Sequence, residues 1–272
     1  MAGLRRWIGT SLAFVLARRW FQPLAQVLYR AALLGLNIGV GDYVATSGEA
    51  GALRTAARLL PAQPARVVFG VGANQGDFMR AALAALGPST RVLAFEPAPQ
   101  TFSRLARVFH ASPQVELHQL GLSDASGSRP LYSDGQDSGL ASLYQRDLTA
   151  HGRALNQVET VPITTLDAFC AERQISRIDY LKLDVEGHEL SALRGARRLL
   201  EQDAVQLIQF EFGGCAIDAR VYFRDLYSLL NERFRLYRIL QDGLAYLPHY
   251  SEHQEVYATA NFLAISRKWP RV

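Results

Sequence analysis

Residues 65–78 read ARVVFGVGANQGDF. The first seven form a short β-branched run that closes in glycines, and a helical pattern follows over 78–86 until Gly87-Pro88 stops it. Working outward, 91–95 (RVLAF) reads as a second strand, 101–110 as a helix and 115–119 as a third strand. Residues 121–142 are rich in Gly, Ser and Asp and read as a long loop, with a short hairpin near 130–133. An extended segment at 158–163 and a helix over 166–173 capped by Thr165 come next. Strands at 178–185 (IDYLKLDV), 205–212 (VQLIQFEF), 235–240 and 260–266 then alternate with helices at 189–200 and 220–233. Short strands alternating with helices predict an α/β domain with a mostly parallel sheet covered on both faces. In such sheets ligands sit beyond the carboxyl ends of the strands.

The chain has 272 residues, 49% hydrophobic and 20% charged, which excludes disordered, collagen-like and coiled-coil classes. Two cysteines, Cys170 and Cys215, make neither a disulfide framework nor a metal cluster, and they suit a reducing cytoplasm. The net charge is +4, but the arginines are scattered with no basic run, so nucleic acid is a poor partner. The sequence divides into an N-terminal helical extension, 1–60, and an α/β domain, 61–272. Residues 4–36 resemble membrane-related sequence, yet only eleven uncharged residues separate Arg6 from Arg18, too few to span a bilayer. Three readings stand for this segment. It is a helical extension packed on the body, a cleaved signal, or an interfacial amphipathic anchor with arginines beside Trp7, Phe14, Trp20 and Phe21. The last predicts a cytoplasmic protein peripheral to the inner face of the membrane.

Four strand ends carry polar groups. After the first come Gly70, Gly72, Ala73, Asn74 and Gly76, where glycines permit a tight turn and leave helix N–H groups for an anion. Gln75 breaks the G-x-G-x-x-G spacing of a dinucleotide site, which argues against NAD. The second strand ends in Glu96-Pro97, placed to accept hydrogen bonds from a ribose diol. Ser123 and Asp124 follow the third strand, where they could meet a base ring. On 178–185, alternation puts Tyr180, Lys182 and Asp184 on one side, and Glu186 continues into the turn. Lys182 and Asp184 can pair with each other, since buried charges are costly alone. Glu211 adds a carboxylate to the same rim, and His188 is its titratable base near neutrality.

The run VVFGVGANQGDF, with AFEP, GLSD, ASLYQR, VPITTLDAF, YLKLDVEGHELSALRGA and FEF, resembles the FkbM family of S-adenosylmethionine-dependent methyltransferases over about residues 64–266. The resemblance implies a Rossmann-like class I methyltransferase sheet of seven strands with an antiparallel last strand. It also implies O-methylation of hydroxyls on sugars, glycolipids, polyketides or related natural products. By position, Gly72, Ala73, Asn74 and Gly76 would cradle the methionine end of S-adenosyl-L-methionine. Glu96 beside Pro97 would hold the ribose, and Ser123 and Asp124 would lie near the adenine. Gly70 leads into this loop where the family has an acidic residue, a departure for which Asp77 or Asp184 could substitute.

Methyl transfer from a sulfonium is an in-line displacement assisted by a base. Asp184, Glu186, His188 and Glu211 are the candidates; a metal-assisted variant would use the same acids. The rival readings are a scaffold that no longer transfers methyl groups, motivated by Gly70, and an NAD-type dehydrogenase.

Overall fold

The computed structural model describes residues 13–14, 16–40, 46–61, 65–135 and 139–272. The N-terminal readings that involve Arg6 and Trp7 lie outside the described residues, as does the part of the 121–142 loop at 136–138.

Eleven strands are described in chain order: β1 Arg66–Val71, β2 Thr90–Phe95, β3 Val115–His118, β4 Gly121–Leu122, β5 Gly127–Ser133, β6 Gln157–Thr164, β7 Ile178–Leu183, β8 Val205–Phe212, β9 Phe234–Ile239, β10 Leu244–Leu247 and β11 Ala260–Ser266. Eight of them form one sheet in the order β10-β9-β11-β8-β7-β1-β2-β3. β1 runs parallel to β2 and β7, β2 to β3, and β7 to β8; β11 is antiparallel to both β8 and β9. The seven expected strands are present with their antiparallel last strand, and β10 adds an eighth that the sequence does not announce. It returns along β9 through a turn closed by Leu240 N–H donating to the Gly243 carbonyl.

Alternation along the strands divides the core in two. Phe69, Leu93, Leu181 and Ile208 face helices α5 (Leu166–Glu172), α6 (Glu189–Arg194), α7 (Arg197–Glu201) and α8 (Phe223–Leu230). Val68, Val92, Tyr180 and Leu207 face the opposite layer, which contains α2 (Glu49–Leu59), α3 (Asp77–Leu86) and α4 (Pro99–Phe109). Burial on both faces is why the central strands read as nearly continuous apolar runs. Ala52, Leu53 and Ala56 of α2 are buried in the second layer, so the packed body starts before the boundary at residue 60.

Two local readings need correction. The loop at 121–142 contains strands: β4 and β5 flank β6 in a separate three-stranded sheet. The single helix at 189–200 is two: Gly195 lies between them, its carbonyl accepts from Asp167 N–H at 2.9 Å, and its lack of a side chain admits the Ser123 carbonyl where a Cβ would stand 1.9 Å away. The second starts where the Asp167 carboxylate accepts from Arg198 N–H at 2.8 Å and Leu199 N–H at 3.0 Å.

Candidate active site

The order of the main sheet reverses between β1 and β7, and the polar strand ends converge at that switch point. A cavity of about 610 Å³ opens there, within the span of roughly 300–1,000 Å³ usual for small-molecule sites. Gly72 and Asn74 line it from β1, Glu96 and Pro97 from β2, Asp184, Glu186 and His188 from beyond β7, and Glu211 from β8. The small sheet contributes Ser133, Gln157 and Glu159 to its wall.

The turn after β1 is forced by a close approach. Gly72 has φ +77°, and a Cβ there would lie 1.8 Å from the Asp184 carbonyl oxygen. Gly72 and Ala73 N–H both donate to the Phe95 carbonyl at 3.0 Å, Asn74 N–H to Glu96 at 3.0 Å, and Gly76 N–H to the Ala73 carbonyl at 2.9 Å. The amides expected to hold a ligand thus serve the turn itself. Polar capacity in the loop comes instead from the Asn74 side chain, whose Oδ1 is buried without a hydrogen-bond partner. Gly76 is needed for packing, because its φ is +84° and a Cβ would strike the Phe109 ring at 2.4 Å. Gly70 does not line the cavity, since its missing side chain would point at Phe78 and Met79, with ordinary contacts of 3.6 and 3.8 Å.

Glu96 is buried at the end of β2. One carboxylate oxygen accepts from Asn74 N–H and the other from Ala98 N–H, each at 3.0 Å. Burial raises its carboxyl above the ordinary range, against the lowering effect of those two amides. A carboxylate offers about four acceptor positions, so roughly two remain for hydroxyl hydrogens.

Lys182 lies in register with Gly70 on the neighbouring strand, and both face Phe78. Its ammonium is buried between Asp184 at 2.7 Å and Glu49 at 3.3 Å. Burial alone would lower its pKa; the carboxylates of Asp184 and Glu49 outweigh this and raise it. Glu49, at the start of α2, also accepts from Ser47 Oγ at 3.0 Å and from Gln209 Nε2. The acids that serve this lysine are Asp184 and Glu49. Asp77 is exposed and pairs with Arg80.

Carboxylates crowd the other half of the cavity. Glu186, with φ +52°, ends the β7 turn and accepts from Arg146 Nη1. Burial first, then the neighbouring Asp184, push its carboxyl up to about 8 against the pull of Arg146. Glu211 is raised well above the ordinary range by burial and by Asp184, Glu186 and Glu189. Glu189 braces the turn, accepting from Val185 N–H at 3.0 Å, and burial pushes it up to about 7. Among the described residues no three His, Cys, Asp or Glu side chains gather as a metal ion would require.

His188 is a strut rather than a free base. Its Nε2 lies 2.9 Å from Ser123 Oγ and its Nδ1 lies 3.1 Å from the Tyr144 hydroxyl. Ser123 Oγ donates to Asp124 at 3.0 Å, so it accepts from Nε2–H and leaves Nδ1 to accept from Tyr144. Burial, then Arg129, lowers the imidazole to about 4, leaving it neutral at pH 7. Ser123 is buried in this relay, and neither it nor Asp124 lines the cavity. The reading of that pair as an adenine contact loses its geometry.

Sequence reasoning missed Arg146, Glu49 and Tyr144. Arg146 closes the ASLYQR stretch, and its isolation in a polar loop hid its partners Glu186 and Asp218. No local pattern beyond Ser47 marks Glu49, because its other partners, Lys182 and Gln209, are on distant strands.

The methyltransferase FkbM domain family matches residues 70–239. "Methyltransferase 1" of Beauveria bassiana is 36% identical over 123 residues, covering 40% of this chain and 49% of that protein. The hexuronic acid methyltransferase AglP of Haloferax volcanii is 27% identical over 167 residues, 61% of this chain and 62% of its own. The crystal structure of methyltransferase FkbM from Methylobacillus flagellatus superposes with a TM-score of 0.47 at 16% identity, covering 76% of this chain and 45% of that one. The chain spans less than two thirds of each of these proteins.

Proposed function

Because this chain belongs to the methyltransferase FkbM domain family, we propose that it is an S-adenosyl-L-methionine-dependent O-methyltransferase acting on a hydroxyl of a sugar, glycolipid or related natural product. One observation carries the reading: a single cavity sets unspent acceptors, Glu96 and Asn74 Oδ1, beside a group of buried carboxylates. The fit to the cofactor is chemical. Glu96 retains acceptor positions for a ribose diol, and Asn74 Oδ1 suits an ammonium donor. The cavity volume suits a nucleoside with an amino-acid tail.

When bound, S-adenosyl-L-methionine supplies a methyl group on a positively charged sulfur. The chain's own part is to orient and to take a proton. Glu186, whose carboxyl sits at about 8, would in its ionised form take the proton of an acceptor hydroxyl, and that form grows as pH rises through 8. Arg146 fixes that carboxylate, and Asp184 and Glu211 are its neighbours on the rim. Holding nucleophile and methyl in line accounts for much of the rate in such displacements. Gln157, Glu159 and Arg153 make a polar wall that suits a sugar, in keeping with the hexuronic acid acceptor named for the AglP relative.

Titration calorimetry with S-adenosyl-L-methionine tests the reading. Saturable binding is expected, weakened on the order of 100-fold by Glu96→Ala through lost hydrogen bonds to a charged acceptor. A folded Glu96→Ala protein that binds as tightly as the parent removes the ribose assignment. No heat at millimolar cofactor would favour a scaffold without methyl transfer.

A further inference from the structure

Helix α1, Gln22–Gly35, buries none of its residues. Gln22, Gln26 and Arg30 recur every four residues and make one narrow polar stripe. Around it Leu24, Val27, Leu28, Tyr29 and Leu34 stand exposed, continuing from Trp20, which is 72% exposed. At 14 residues the helix is about 21 Å long, short of the roughly 30 Å hydrocarbon core. No helix among the described residues is long and apolar enough to cross a membrane.

Charge says what covers this face. Residues 1–41 contain Arg5, Arg6, Arg18, Arg19 and Arg30 and no Asp or Glu. A second copy laid against the helix would bring like charges together, whereas an anionic surface would neutralise them. A wide apolar face with tryptophan, tyrosine and arginine at its margins matches a helix lying in the plane of an anionic interface.

The root of the helix is firmly held. Asn37 Nδ2 donates to the carbonyls of Ser47 at 2.8 Å and Ile239 at 3.0 Å, and Gly39 N–H donates to the Thr259 carbonyl at 2.7 Å. Thr259 is itself part of the cavity wall. We propose that α1 docks the protein on an anionic lipid bilayer and so holds the rim of the cavity beside the membrane. This docking does not depend on the methyltransferase reading.

Flotation of the full chain with phosphatidylcholine vesicles, with and without phosphatidylglycerol, tests it. Binding is expected only with phosphatidylglycerol and should be released by high salt. Arg18→Ala and Arg19→Ala should each weaken it roughly fivefold. Leu24→Ser with Leu28→Ser should weaken it at least about tenfold by removing buried apolar area, with the melting temperature and cofactor titration unchanged. Equal binding to both vesicle types, or none to either, overturns the proposal. So does a dimer in sedimentation that the Leu24→Ser, Leu28→Ser protein converts to monomer without any vesicle binding, which would assign the face to a second copy.

Discussion

The two halves of the cavity treat their acids in opposite ways. Where β1 and β2 end, Glu96 is satisfied by backbone amides and the turn is held by main-chain bonds. Where β7 and β8 end, Asp184, Glu186, Glu189 and Glu211 crowd together with Lys182 and Arg146 as the cations in contact. The first half holds its acid by main-chain amides, as a site that must present fixed acceptors requires. The second keeps carboxyls that titrate near neutral pH, as a site that must move a proton requires.

Substituting the turn should break that contrast most strongly. Gly72→Ala places a Cβ 1.8 Å from the Asp184 carbonyl oxygen and should separate β1 from β7, costing about 3 kcal/mol or more together with cofactor binding. Gly70→Ala, with contacts no closer than 3.6 Å, should leave melting nearly unchanged. Equal melting temperatures for the two variants would mean the strand ends do not approach as described.

The acidic half should show itself in pH dependence. Glu186 sits at about 8 in the fold against an ordinary 4.5, so the folded state holds its proton more tightly. Its contribution to stability is therefore full below about 4.5 and is lost as pH rises through 8, a loss of a few kcal/mol at most beside Arg146. Glu186→Gln should flatten the fall in urea stability between pH 5 and 9. Parallel curves for parent and variant would place the raised carboxyl elsewhere.

The smallest effect concerns the junction of the halves. Glu49→Gln leaves Lys182 with Asp184 alone and should cost about 1–2 kcal/mol. Gly70→Asp in the same protein puts a carboxylate on the sheet face that Lys182 occupies and should restore part of that loss. A double variant less stable than Glu49→Gln would show that position 70 cannot serve the lysine.

Much of this architecture was legible because parallel strands buried on both faces announce themselves as short apolar runs. Glu96 and the 184–186 turn could be placed because a strand's end places its next residues at the ligand edge. β10 escaped although Asp242-Gly243 precedes it, since a four-residue edge strand has little apolar periodicity to show. Within 121–142 the hairpin near 130–133 was legible, and Tyr132 pairs antiparallel with Ser142; β4 and the full extent of β5 escaped because Gly, Ser and Asp mask a half-exposed pairing whose partner, β6, is remote in sequence.

The sequence by itself determined the alternation of strand and helix, the glycine turn and the carboxylates at the strand ends, because each follows from local periodicity and backbone freedom. Tertiary structure alone decided that His188 is neutral and tied, that Glu49 serves Lys182, and that Arg146 holds Glu186. Those outcomes depend on which groups share a dry space, and burial and proximity across distant segments leave no local trace in the order of residues.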